Sequence, residues 1–232
     1  MIQFHLRVYC VASGDLTLYL YTRFLALFSS KHYTSPVPAA DDTIDLAPHL
    51  TNSSLQTQKG EEGVRLFDEL VGCHVLSRGA DAPCDGSVLT LDHLTNVQDQ
   101  IADTLAEAFK AALQSPIHFQ VCSPLIEYCT SHKRLGNPQP LGNAFELFGV
   151  DFLVEHIESP DPRFRVKLLE TNAEPAIELT GPRLTWVLED LFSAMARVCV
   201  EPFVRDIPVE AWPVGQTRHY LRKCIQTRVR GC

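Results

Sequence analysis

Two apolar runs late in the chain each carry an acidic residue, and any fold for this sequence must account for them. Phe145 to Glu155, FELFGVDFLVE, has the length and apolar density of a buried strand, and a second strand is predicted from Arg165 to Thr171. Ser159-Pro160-Asp161-Pro162 between them is turn chemistry, so the two strands are expected to lie side by side and antiparallel. Period-two alternation puts Gly149, Asp151 and Leu153 on one face of the first strand, and Val166, Leu168, Glu170 and Asn172 on one face of the second. Pairing would then bring two carboxylates and an amide oxygen together. Carboxylates beside Leu and Val are costly without a cation, and magnesium accepts such an all-oxygen set. Taken alone the Glu-x-Asn spacing is weak, since an arbitrary Asp and Glu more often point to solvent at strand ends.

The rest of the chain supplies elements that could frame such a pair. Residues 3 to 12 and 16 to 28 are rich in β-branched, aromatic and leucine residues around Ser13-Gly14-Asp15, which predicts a β-hairpin. Thr34 to Asp45 reads as an exposed loop, a short helix is predicted from Glu61 to Val71, and residues 72 to 88 read as a surface excursion. Leu94, Val97, Ile101, Leu105 and Ala108 mark one face of a helix that ends before Ser115-Pro116. Gly136 to Gly142 is loop. Thr180-Gly181-Pro182 opens a further helix with core positions Leu184, Val187, Leu188, Leu191, Met195 and Val198, and Glu201-Pro202 is expected to end it.

Composition narrows the function classes. With 232 residues, 45% of them hydrophobic, the chain can bury the core of one domain, with room for an appendage. A formal charge of -8 disfavours a nucleic-acid binder, because neutralising phosphate needs a basic surface, and it disfavours an acidic target as well. The eight cysteines form no CxxC pair and read as reduced, packed thiols. MIQFHLRVYCVASG lacks a secretory pattern, and LTLYLYTRFLALF carries Arg23 and is too short to cross a bilayer, so the expected location is cytoplasmic, away from membranes.

Five segments together carry a family resemblance: FELFGVDFLVE, VKLLETNAEPAIE, QFHLRVYCV, LYLYTRFLALFSSKHY and PHLTN. In this order they resemble the tubulin-tyrosine-ligase family over residues 1 to 203, and their wording is most similar to its fungal, processing-body-associated branch. The resemblance implies an α/β fold of the α+β kind: the C-terminal half of an ATP-grasp domain, with a mainly antiparallel sheet flanked by helices. It implies ATP and Mg2+ as cofactors, and the joining of an amino group to a carboxylate through an acyl phosphate. Asp151, Glu170 and Asn172 match the family's metal-ligand positions. Arg7 matches an arginine facing the terminal phosphate, a role suited to a permanently charged fork of donors. His49, Leu50, Thr51 and Asn52 match a loop lining the nucleotide site.

The departures from the pattern are equally specific. Gln3 and His5 stand where the family has lysine and aspartate, and Leu27 stands where it has an arginine near the reacting centre; Arg23, four residues away, is not assumed to replace it. The adenine-binding strand and ATP-gripping lysines are expected before residue 1, leaving half a nucleotide site here. The scattered histidines share no ligand spacing, and Gly60-Glu61-Glu62-Gly63 is too acidic for a phosphate loop and reads as a helix start. Residues 204 to 232 read as a basic tail bearing Arg218, Arg222, Lys223, Arg228 and Arg230, either a solvated or fraying terminus or a docking site for an acidic partner. Two functions are expected to compete: a ligase attaching tyrosine or glutamate to a protein carboxylate, with tubulin disfavoured by charge, and a non-catalytic module within an mRNA-decay assembly.

Overall fold

The architecture follows from one strand that is apolar on both sides. In the computed structural model, which describes residues 2–34, 45–51, 63–75, 88–114, 144–157, 163–177 and 182–227, β1 (Ile2–Ser13) is buried continuously from His5 to Val11. A strand buried on both faces needs cover on both, and the chain provides it. One edge of β1 pairs with β5 (Phe145–Ile157); the other pairs with β2 (Thr17–Tyr21) along its second half and with β3 (Leu25–His32) along its first. β4 (Val64–Leu66) extends the sheet beyond β3, β6 (Arg163–Asn172) lies outside β5, and β8 (Leu221–Gln226) with β7 (Thr217–Arg218) lies outside β2. All of these pairings are antiparallel.

The expected hairpin is present, with its second strand broken at residues 22–24 into β2 and β3. Its loop turns on Gly14 and Leu16, both at positive φ (57° and 68°). Leu16 tolerates that conformation because its side chain is buried in the core.

On one face Leu6, Val8, Cys10, Val150 and Phe152 pack under α1 (Leu91–Gln114), which contributes Leu94, Val97, Ile101, Leu105 and Phe109. The helix matches its predicted period, except that Phe109 takes the buried place and Ala108 is only half buried. On the other face Tyr9, Val11, Tyr19 and Tyr21 pack under Leu184, in the turn Pro182–Leu184, and under α2 (Thr185–Met195) through Val187, Leu191 and Met195. Each of these side chains, once fully buried, stabilises by about 1.5–3 kcal/mol relative to exposure.

Several expectations need correction. The helix placed over Glu61 to Val71 is instead β4 followed by a 3-10 turn, Phe67–Leu70, because Val64 and Leu66 are drawn into pairing with Leu27 and Leu25. The helical path does not stop at Glu201-Pro202. It widens into a π turn over Ala196–Val200 and resumes as α3 (Glu201–Arg205), ending at Asp206 in the left-handed region. Pro202 lacks the N–H that would bond four residues back and its ring crowds that carbonyl, which accounts for the widened turn before it. Of the basic tail, residues 217–226 are β7 and β8, with Leu221, Cys224 and Ile225 in the core. Lys223 is 2% exposed, its Nζ 5.3 Å from the Trp212 ring and 5.9 Å from that of Tyr19, and Arg222 pairs with Asp99 at 2.5 Å. Lys223 is thus inside the fold, and Arg222 joins β8 to α1. The predicted loops at 34–45, 72–88 and 136–142 fall largely outside the described residues, as does the Gly60 segment up to Glu62.

Candidate functional site

Along the α2 side of β1 the residues His5, Arg7, Tyr9 and Val11 follow one another, apolar at one end and polar at the other. The polar end is the candidate site. Arg7 lies opposite Asp151 of β5, and Asp151 lies opposite Glu170 of β6, so three charged residues stand in one row across three strands. The next row sets Gly149 opposite Asn172. The predicted trio of Asp151, Glu170 and Asn172 is therefore brought together, and Asn172 Nδ2 donates to Glu170 Oε1 at 3.1 Å.

The convergence depends on a feature that alternation missed. The register slips between Asp151 and Phe152, pairing Asp151 with Glu170 but Phe152 with Leu168, so Leu169 is an extra residue in β6. Leu168 and Glu170 consequently face opposite sides of the sheet, contrary to the predicted shared face. The bulge turns Glu170 to the Asp151 side and leaves Leu169 54% exposed.

Arg7 and Asp151 form a buried two-pronged pair, Nε to Oδ1 at 2.5 Å and Nη2 to Oδ2 at 2.9 Å. Burial works against the Arg7 charge, but the hydrogen bonds and charge of Asp151 outweigh it and hold the pKa above its ordinary value. Tyr9 lies beside Arg7; burial pushes its phenol up, and Arg7 moderates the shift. Gly149 serves close packing: a Cβ there would stand 2.6 Å from Cβ of Pro175 and 3.5 Å from Cδ of Arg7. This gives a physical reason for glycine two residues before Asp151.

The segment carrying His49, Leu50 and Thr51 turns at residues 46–50, with the His49 and Leu50 amides both donating to the Leu46 carbonyl. Thr51 reaches the site, where its Oγ1 is 2.6 Å from Nδ1 of His5. His49 stacks edge-on with Tyr33, and its Nε2, like Oε1 of Gln3, is buried without a hydrogen-bond partner among the described residues. Asn52 lies outside the described residues. Leu27 is buried in the core under α2. Arg23 does not take its place: its guanidinium sits between Trp186 and Tyr220, 4.7 Å and 4.1 Å from the ring centroids, with Nε 3.5 Å from Asp190.

The sequence pattern of the "Tubulin-tyrosine ligase family" matches residues 2–208. The chain belongs to this family. A family member from Saccharomyces cerevisiae, "Probable tubulin--tyrosine ligase PBY1", is 32% identical over 207 residues, 88% of this chain and 22% of that protein. A probable tubulin-tyrosine ligase from Schizosaccharomyces pombe is 30% identical over 203 residues, 87% of this chain and 39% of that protein. The chain thus spans well under half the length of these relatives. Among solved structures, the C-terminal domain of K. lactis Pby1 superposes with a TM-score of 0.60 at 23% identity, over 98% of this chain and 49% of that chain. That protein is described as an ATP-grasp enzyme interacting with the mRNA decapping enzyme Dcp2. At this identity the likeness shows the fold, and the fold is the expected one: ATP-grasp, with a mainly antiparallel sheet and helices packed on it. ATP binding is what that fold implies.

The side chains present suit a hard cation. Two carboxylates and an amide stand in neighbouring rows of paired strands, and the Arg7 fork occupies one lone pair on each Asp151 oxygen while leaving others free. No group of three His, Cys, Asp or Glu side chains that could hold a metal occurs among the described residues. No helix among them is long and apolar enough to cross a membrane.

Proposed function

We propose that this chain contributes the phosphate and metal end of an ATP-dependent carboxylate-amine ligase of the tubulin-tyrosine-ligase type, attaching tyrosine or glutamate to a protein carboxylate. The observation that carries the reading is the row Arg7, Asp151, Glu170 held in register across three strands, with Asn172 beside it. Asp151, Glu170 and Asn172 would hold Mg2+, which when bound neutralises phosphate charge and polarises the transferred phosphoryl group. Arg7 supplies a cation that no physiological pH removes, and its bond to Asp151 fixes where its remaining donors point. His49, Leu50, Thr51 and Asn52 would line the nucleotide. The acyl-phosphate route needs an acceptor carboxylate, and the net charge of -8 favours one outside a strongly acidic tail.

The test is ATP-dependent incorporation of labelled tyrosine or glutamate into protein by a full-length protein containing this chain. Glu170→Gln, which removes a charge without changing shape, should lower incorporation by at least about 100-fold if Glu170 holds the metal. Unchanged incorporation would reject the assignment.

A second reading rests on Gln3, His5 and Leu27, which stand where charged residues are expected. Leu27 is packed as core where the family's arginine is expected, and Gln3 puts a neutral amide where a lysine is expected. These fit a cytoplasmic, non-catalytic module that keeps the ATP-grasp shell and works in an mRNA-decay assembly, as the Dcp2 interaction of K. lactis Pby1 suggests for that protein. Binding of MgATP without incorporation of any amino acid would favour this reading.

A further inference from the structure

His5 stands where the family resemblance leads one to expect an aspartate, and the ligase reading gives it no task. The structure assigns it one. It is 8% exposed on β1, two residues from Arg7, and its imidazole has a neighbour at each nitrogen. Nδ1 is 2.6 Å from Thr51 Oγ1, in the segment that carries His49 and Leu50; Nε2 is 3.6 Å from Oδ1 of Asp151. One ring therefore spans the gap between the 46–51 turn and the buried Arg7–Asp151 pair.

Between the two neutral tautomers, the chemistry of the contacts favours one. A neutral imidazole donates through one nitrogen and accepts through the other. If Nδ1 carried the proton, the Nε2 lone pair would face a carboxylate oxygen, which is repulsive. With the proton on Nε2, the N–H faces Asp151 and the Thr51 hydroxyl donates to Nδ1, so both contacts are favourable.

We propose that His5 is a positioning residue: held as the Nε2–H tautomer, it ties the Thr51 end of the nucleotide segment to the Arg7–Asp151 pair, so that the two parts of the site are organised together. An aspartate at this position could accept from Thr51 but would set a second negative charge beside Asp151. Histidine keeps the tether without that charge. The functional meaning of the tether rests on the nucleotide reading above, whereas the tether itself does not.

The experiment uses the 232-residue chain without nucleotide and reads two quantities. The first is the protonation pattern of the His5 ring, from long-range proton–nitrogen correlation NMR. The second is amide hydrogen exchange of residues 46–51 in wild type, His5→Phe and His5→Asn. The Nε2–H tautomer is expected, together with exchange about fivefold or more faster in His5→Phe, the factor that one lost hydrogen bond of ordinary strength allows. His5→Asn places an amide near the Nδ1 position and should recover most of that protection, which a space-filling role would not require. A ring protonated on Nδ1 would overturn the proposal, as would full protection in His5→Phe. If His5→Phe does not fold, the tautomer and the His5→Asn exchange still decide the question. MgATP affinity of the same variants is measured separately: absence of binding in wild type would fail the nucleotide reading while leaving the tether standing.

Discussion

The Arg7–Asp151 pair sets the energetics of the site at the scale of single residues. Both side chains are largely removed from water, so the attraction between them mainly offsets the cost of burying each. Removing one partner should therefore be worse than removing both. Arg7→Met is expected to cost about 3–5 kcal/mol by leaving the Asp151 carboxylate uncompensated, and the Arg7→Met/Asp151→Leu double variant should recover much of it. Chemical denaturation of the two singles and the double gives the comparison; additive losses would mean that the pair is not coupled. Asp151 could be read from sequence only because FELFGVDFLVE is followed by VKLLETNAEPAIE in the order of the family pattern; an acid in one apolar run would not have been enough. Its partner could not, since 144 residues separate it from Arg7 and only the sheet register joins them. The burial of Lys223 was equally hidden, because the rings of Trp212 and Tyr19 that surround it come from other elements.

At the scale of elements, β5, β6, α1 and the core positions of α2 were legible because each is a long run with a clear period. The Leu169 bulge was not, as nothing in VKLLETN distinguishes an extra residue from regular alternation. Short elements fared worst: three residues of β4 are too few for a period, and the basic residues of β8 masked the apolar ones among them. The edge of β6 that pairs with no strand among the described residues is met by a side chain from α1. The Gln100 amide donates to the Phe164 carbonyl at 2.9 Å and accepts from the Val166 amide at 3.2 Å, as a neighbouring strand would. Gln100→Leu should lose both bonds at a cost of about 1–3 kcal/mol. Faster hydrogen exchange at Val166 would localise the effect to this edge, and unchanged exchange there would contradict the role given to Gln100.

For the whole molecule, two apolar layers on either side of one sheet make stability sensitive to alkaline pH. Burial pushes the Cys10 thiol up, and pushes Cys224 up from 9.0 to about 12. A raised folded-state pKa means that the folded protein holds its proton where the unfolded chain has lost it. The corresponding stability is fully present below pH 9 and is lost as pH rises toward about 12. Urea denaturation at pH 8 and pH 10.5 should show this loss, and Cys224→Ala should flatten the slope; an equal slope in the variant would remove Cys224 as its source.

The central claim is that the row of Arg7, Asp151 and Glu170 with Asn172 receives magnesium and the phosphates of ATP. Thermal unfolding of the chain with and without millimolar MgATP, in wild type and Glu170→Gln, tests it most directly. Ligand at about 100 times its dissociation constant stabilises the folded state by about 2.7 kcal/mol. The account predicts a magnesium-dependent rise in melting temperature for wild type that Glu170→Gln abolishes. No rise in well-folded wild type, or an equal rise in Glu170→Gln, would contradict it.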